Sequence, residues 1–135
     1  MSAEDRAAFA DARIAALHAA LKLNAEQEKL WPAVEQAVKD LASQRRSRRD
    51  GWREARRQLR DDFPAGLRSV AERQAAHAEA LRRVADAVTP LYATLDEAQK
   101  RRAGVLMRSF RRDAGRFAAR SRDGRRHEWH RGGRG

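Results

Sequence analysis

The chain has 135 residues, 41% hydrophobic and 36% charged, with 30 Lys and Arg against 19 Asp and Glu and no Cys. That length suits one domain. The lack of thiols excludes a disulfide framework and cysteine chemistry, and no apolar run reaches the roughly 18 residues of a membrane span. The net charge of +11 favours an anionic partner such as nucleic acid, acidic lipid or an acidic polypeptide.

About half of the hydrophobic residues are Ala, 28 in all, so large apolar side chains are scarce. Such a chain favours helices packed in a shallow layer, with a second subunit supplying burial that the monomer lacks. A helical homodimer is therefore expected. The charge is uneven: residues 1–40 carry −2, 41–60 carry +6, 61–100 carry −2 and 101–135 carry +9. Arg outnumbers Lys 26 to 4, which a compositional bias toward Arg, Ala and Gly explains as readily as function does. Bias does not explain the clustering. The start, Met1-Ser2-Ala3-Glu4-Asp5, is acidic where a secretory signal is basic and then apolar, so no export signal is expected in it.

In chain order, the first predicted helix runs from about Glu4 to Leu21, capped by Ser2, with Phe9, Ile14, Leu17 and Leu21 on one face and His18 on its flank as a surface histidine. It is followed by Leu23-Asn24-Ala25-Glu26-Gln27. Asn24 is a good N-cap, and Gln27 can reach back to the cap N–H, which makes a capping box with Leu23 as the staple. The second helix then shows Leu30, Trp31, Val34, Ala37, Val38 and Leu41 at helical spacing. Pro32 lies inside it, where a kink rather than a stop is expected because the period continues. Extended to Arg60, this helix would be about 54 Å long.

Its middle is the Arg-rich block from Arg45 to Arg60. Leu41, Trp52, Ala55 and Leu59 keep an apolar stripe there, while Arg45, Arg48, Arg49, Arg53 and Arg56 make the rest cationic. Gly51 is a flex point, costing about 1 kcal/mol relative to Ala inside a helix. Residues 61–66 punctuate the chain, with an extended Phe63 before Pro64. The third helix carries a heptad seam of Leu67, Val70, Gln74, His77, Leu81, Val84, Val88, Leu91 and Leu95, in which Gln74 and His77 set register. Pro90 should kink its last turn. A second capping turn follows, Leu95-Asp96-Glu97-Ala98-Gln99, with Asp96 as cap and Gln99 as its reciprocal partner. The fourth helix carries Ala103, Leu106, Phe110 and Phe117 on one face. Residues 1–121 thus form a single helical domain of two hairpins, and 122–135 form a basic tail with too little apolar area to offset ordering entropy, expected to be disordered.

No nucleophile with a base, no pair of tuned carboxylates and no convergent ligand set stands out, so no enzyme and no cofactor is expected. His127 and His130, with Glu128, are weak metal candidates, too few for a closed zinc site. A polar tail is the simpler reading. The Arg blocks, with the closing Arg-Gly-Gly-Arg-Gly, leave nucleic-acid binding open as an alternative. The other use of the middle block is to hold unfolded polypeptide. There Arg45, Arg48, Arg49, Arg53 and Arg56 would steer acidic stretches while Trp52, Leu59 and Phe63 contact exposed apolar side chains.

The two capping turns, with Leu23, Asn24 and Gln27 in one and Leu95, Asp96 and Gln99 in the other, resemble the LTxxQ motif of the Spy/CpxP family of small bacterial periplasmic proteins. Asn24 and Asp96 stand where Thr is usual, which keeps the capping chemistry. The flanks from Phe9 to Glu35 and from Thr89 to Arg102 are also similar to that family. The resemblance implies an all-α fold of two long bent helical hairpins, four helices in all, that assemble into an elongated, cradle-like antiparallel dimer. It implies an ATP-independent chaperone that binds unfolded or misfolded polypeptides, or an envelope-stress accessory protein, in the periplasm. A metal-responsive sensor of the same family is a further alternative.

Overall fold

A computed structural model describes the backbone of residues 2–131 and the side chains of residues 2–119, apart from Ala114, Phe117 and Ala118. It consists of α1 (Ala3–Leu21), α2 (Ala25–Glu28), α3 (Trp31–Asp50), α4 (Trp52–Asp61), α5 (Phe63–Tyr92) and α6 (Glu97–Arg131), with no strand among the described residues.

The four expected helices become six because two residues interrupt the second. Pro32 has no N–H to give the carbonyl of Glu28, and the chain answers with a break instead of a kink. It closes α2 with a Leu30 N–H to Gln27 carbonyl bond of 2.9 Å and restarts at Trp31, so that Pro32 sits in the first turn of α3. A first-turn N–H has no intrahelical partner in any case, so Pro is tolerated there. Gly51 ends α3, yet its N–H still reaches the Ser47 carbonyl at 3.0 Å and its own carbonyl accepts from Ala55 at 3.1 Å. At 62–64 the extended residue is Asp62 and not Phe63. Asp62 caps α5 by accepting from the Ala65 N–H, with Pro64 in the first turn. Pro90 lies inside α5, as expected.

Helix α1 opens on a capping box in which Ser2 accepts from the Asp5 N–H and Asp5 from the Ser2 N–H. The Ser2 hydroxyl, and after it the Ser2 N–H, hydrogen-bond the Asp5 carboxylate and hold it below its ordinary range. At its other end Lys22 adopts the left-handed conformation, φ 47°, which ends the helix abruptly.

The antiparallel partners are α3 and α4 with α5, and α1 with α6, with a smaller contact of α1 on α3. Packing therefore runs mainly between partners joined by the Asp62 corner or brought from opposite ends of the chain, and less across the two capping turns. The core lies where α1, α3, α5 and the start of α6 converge. Ile14, Leu21, Trp31, Val34 and Leu91 are buried there, with Leu17, Leu23, Leu30, Val38, Val88, Leu95 and Ala103 against them. Phe9, placed on the α1 face by its spacing, is exposed instead, because the face turns inward only from Ile14 onward.

The α5 seam differs from the expected one at three positions, each displaced by one residue. Val70, His77, Val84, Val88, Leu91 and Leu95 are buried or half-buried as expected, but at the three positions between them Gly66, Arg73 and Ala80 turn inward, whereas Leu67 and Leu81 are 49% and 43% exposed and Gln74 is exposed. The reason is distance of approach. Beyond the core, α4 and α5 meet through Ala55 and Gly66, and a Cβ on Gly66 would lie 2.6 Å from the Leu59 N and 2.7 Å from its Cα. His77 keeps its register role, with Nδ1 at 3.1 Å from the Gln44 side-chain oxygen. Helix α6 continues beyond Ser121, where the domain was expected to end, through Arg131. Phe117, His127 and His130 lie outside the described side chains.

Gly66→Ala must push α4 and α5 apart against backbone atoms. It should lower stability by about 1–3 kcal/mol, read as a reduced melting temperature by circular dichroism. Gly51→Ala displaces only the mobile Arg73 guanidinium and should be neutral or mildly stabilising.

Candidate functional site

The two capping boxes form as the residue types dictate. Gln27 N–H donates to Asn24 Oδ1 at 2.9 Å and Asn24 N–H returns to Gln27 Oε1 at 3.0 Å. Gln99 N–H donates to Asp96 Oδ1 at 2.7 Å and Asp96 N–H to Gln99 Oε1 at 2.9 Å. Leu23 and Leu95 are half-buried against the core as staples.

Local chemistry alone does not bring the two boxes together, and here they share one network. Gln27 Nε2 donates to Gln99 Oε1 at 3.2 Å and to the Thr94 carbonyl at 2.9 Å. Gln99 Nε2 donates to Gln27 Oε1 at 2.9 Å and to the Leu21 carbonyl at 3.1 Å. Both glutamines are buried, and each amide uses two donors and two acceptor sites. Arg102 completes the seal by donating to the Ala20 carbonyl at 2.7 Å. The signal in the sequence is the residue type: Glu closes a capping box equally well, but only Gln carries donors for a second turn.

Beside this junction His18 stacks on Trp31 at 4.5 Å with the rings 7° from parallel, and its Nε2 lies 2.8 and 3.0 Å from the Glu28 carboxylate oxygens. The expected surface histidine thus ties α1 to α2 and α3. Together with Asp11, Ile14, Glu35 and Lys39, it lines a groove of about 250 Å³. There the Lys39 ammonium, bonded to Glu35, holds that carboxyl below its usual range while Glu35 raises Lys39. The pair is exposed, so it contributes little to stability.

The candidate contact residues lie on the other arm. Arg45, Arg48, Arg49, Trp52, Arg53 and Arg56 are exposed on α3 and α4, Leu59 is half-buried, and Phe63 is 61% exposed at the corner. The Arg56 guanidinium sits 5.4 Å from the Trp52 ring centroid. On α3 and α4, Arg45 and Trp52 each follow a seam residue, Gln44 and Gly51; on α5, Leu67, Gln74 and Leu81 each follow one, Gly66, Arg73 and Ala80. In an antiparallel pair, positions one residue past the seam point to the same side of both helices. Trp52 and Arg45 therefore share one face with Leu67, Gln74 and Leu81, while Leu59 closes on Gly66 in the seam. Sequence reasoning missed Leu67 and Leu81 as surface groups because it buried them in the seam. Among the described residues no group of three or more His, Cys, Asp or Glu gathers that could hold a metal ion.

The model of the LTXXQ motif family protein matches residues 9–107, a span that contains both glutamine turns. The chain belongs to the LTXXQ motif family. That family includes Spy/CpxP-type proteins. No curated protein and no solved structure matches the chain.

Replacing either junction glutamine by Ala strands acceptors and donors of the other. Gln27→Ala and Gln99→Ala should each cost about 2 kcal/mol or more in chemical denaturation, with the double variant well short of the sum. Gln27→Glu, equal in size but without donors, should be no better tolerated at neutral pH; wild-type stability for it would show that the cross-pair contributes nothing.

Proposed function

We propose that the protein is a non-enzymatic, ATP-independent holder of unfolded polypeptide in the bacterial periplasm, working as a homodimer. The observation that carries this reading is the face shared by α3, α4 and α5. Large apolar groups that a folded core would normally absorb, Trp52, Phe63, Leu67 and Leu81, stand open to solvent among the guanidinium groups of Arg45, Arg48, Arg49, Arg53 and Arg56. Membership of a family that includes Spy/CpxP-type proteins supports the reading.

Such a face can hold many sequences loosely. Exposed apolar side chains of a client bury area against Trp52 and Phe63, worth about 25 cal/mol per Å², while Arg attracts acidic stretches from a distance. The groups are spread along the helices and are not gathered in a pocket, so no single client geometry is required. Release then needs no nucleotide, because each contact is weak.

Dimerisation fits the same face. Leu67, Gln74 and Leu81 are evenly spaced, so a second α5 laid antiparallel would set each Leu67 beside a Leu81 and leave the Arg-bearing α4 of each copy at the edge. Light scattering should give a dimer, and Leu67→Asp with Leu81→Asp should give a monomer of unchanged helicity. A wild-type monomer at micromolar concentration would remove the dimer.

The decisive test replaces Arg45, Arg48, Arg49, Arg53 and Arg56 with Gln, alone and with Trp52→Ala. Suppression of client aggregation should weaken in the first variant and further in the second. It should depend only modestly on salt, since the apolar contribution is not screened. Nucleic acid as the true partner would show the opposite: no effect on aggregation, and affinity falling about 10³-fold or more from 50 to 200 mM salt if six phosphates are neutralised.

A further inference from the structure

The second cationic block is built differently from the first. Helix α6 packs on α1 through the side bearing Gln99, Ala103, Leu106 and Phe110, all buried or half-buried. The Arg13 guanidinium lies 5.8 Å from the Phe110 ring centroid. At 100° per residue the opposite side carries Arg101, Val105, Arg108, Arg112 and Arg116 in one strip. All five are exposed, Val105 at 55%, and the strip from Arg101 to Arg116 is about 22 Å long. Like charges four residues apart, as at 108, 112 and 116, weaken a helix. Even so, among the described residues none of these four arginines makes an ion pair, whereas Glu35 on α3 and Glu79 on α5 are each matched locally by Lys or Arg.

Next to the strip runs a groove of about 400 Å³ between the end of α1 and α6, lined by Ala20, Arg101, Arg102, Val105, Leu106 and Ser109. Its walls are apolar and its rim holds two guanidinium groups. Arg102 is occupied by the Ala20 carbonyl at 2.7 Å, which leaves Arg101 facing outward. A row of exposed cations beside a shallow, largely apolar groove matches a molecule that carries a phosphate and a hydrocarbon chain together. The strip has no exposed aromatic side chain to stack a base, unlike Trp52 on the other arm, and its apolar element is aliphatic.

We propose that the outward face of α6 is a docking surface for an anionic phospholipid membrane. Headgroup phosphates pair along Arg101, Arg108, Arg112 and Arg116, and an acyl segment enters the groove past Val105. Binding is peripheral, since no helix among the described residues is long and apolar enough to cross a bilayer. The site is separate from the α3–α5 face, so a protein held on the membrane by α6 keeps that face free for polypeptide.

The full-length protein would be sedimented with vesicles of phosphatidylcholine alone and of phosphatidylcholine with phosphatidylglycerol. Binding should appear only with the anionic lipid and fall with salt. Each basic residue near such a surface is worth roughly a fivefold change, so Arg101→Gln, Arg108→Gln, Arg112→Gln and Arg116→Gln together should weaken it by about several hundredfold while leaving helicity and aggregation suppression intact. Val105→Ser should cause a smaller loss that persists at high salt. Three results would overturn the assignment: no preference for anionic vesicles, an equal loss when the five arginines of α3 and α4 are replaced instead, or no vesicle binding alongside tight, α6-dependent binding of an oligonucleotide.

Discussion

The structure depends on one pair of amides. Gln27 and Gln99 are 72 residues apart, yet each completes its own helix start and the other's hydrogen-bonding at once. A buried amide left half-satisfied would cost more than an apolar replacement, so this pair forms in full or the junction fails. Once it forms, the ends of α1 and α5 and the starts of α2 and α6 are held at one place, and the large core residues Ile14, Leu21, Trp31, Val34 and Leu91 gather around it. The polar network supplies the geometry and the apolar cluster supplies most of the burial energy.

Away from that junction the packing changes in kind. Beyond Val38 on α3, the fully buried contacts with α5 come from Ala55, Gly66 and Ala80, residues that let backbones approach closely but bury little area each. The far arm therefore has a modest core and a close fit, which suits a rigid strut. Its large apolar groups sit on the outside, where they add nothing to the stability of the monomer. A chain selected only for stability would place those groups in the seam.

This division explains which features could be read from the sequence. Capping is local chemistry, so Asn24 with Gln27 and Asp96 with Gln99 were legible, as were the helical class and the break-prone Pro32 and Gly51. The outcome at Pro32 was not: an apolar period that continues through a proline fits a kink and a restart equally, and the restart wins because it places Pro32 where no donor is needed. Three positions of the α5 seam were misjudged by one residue for a related reason. Periodicity favours the larger side chain, and Leu67 and Leu81 outrank Gly66 and Ala80 on that measure, but close approach of α4 favours the smaller ones. The candidate face was found from its arginines and Trp52, while its α5 half stayed hidden inside the supposed seam. For α6, composition showed the charge but not which residues turn away from α1.

The same shift of register bears on what the exposed face can meet. Leu67, Leu81, Trp52 and Phe63 together would make an aggregation hazard on an uncharged surface. The arginines beside them change the balance between possible occupants. A copy approaching with its own Arg45 to Arg56 block alongside meets like charge at short range, whereas an antiparallel copy that pairs α5 with α5 keeps those blocks apart. An unfolded segment bearing both acidic and apolar residues meets attraction from each kind of group. The arrangement thus disfavours stacking through α4 and leaves room for a symmetric α5 contact. Selectivity of this kind needs no pocket; it follows from placing one row of apolar side chains a single position past the seam and setting arginines beside it.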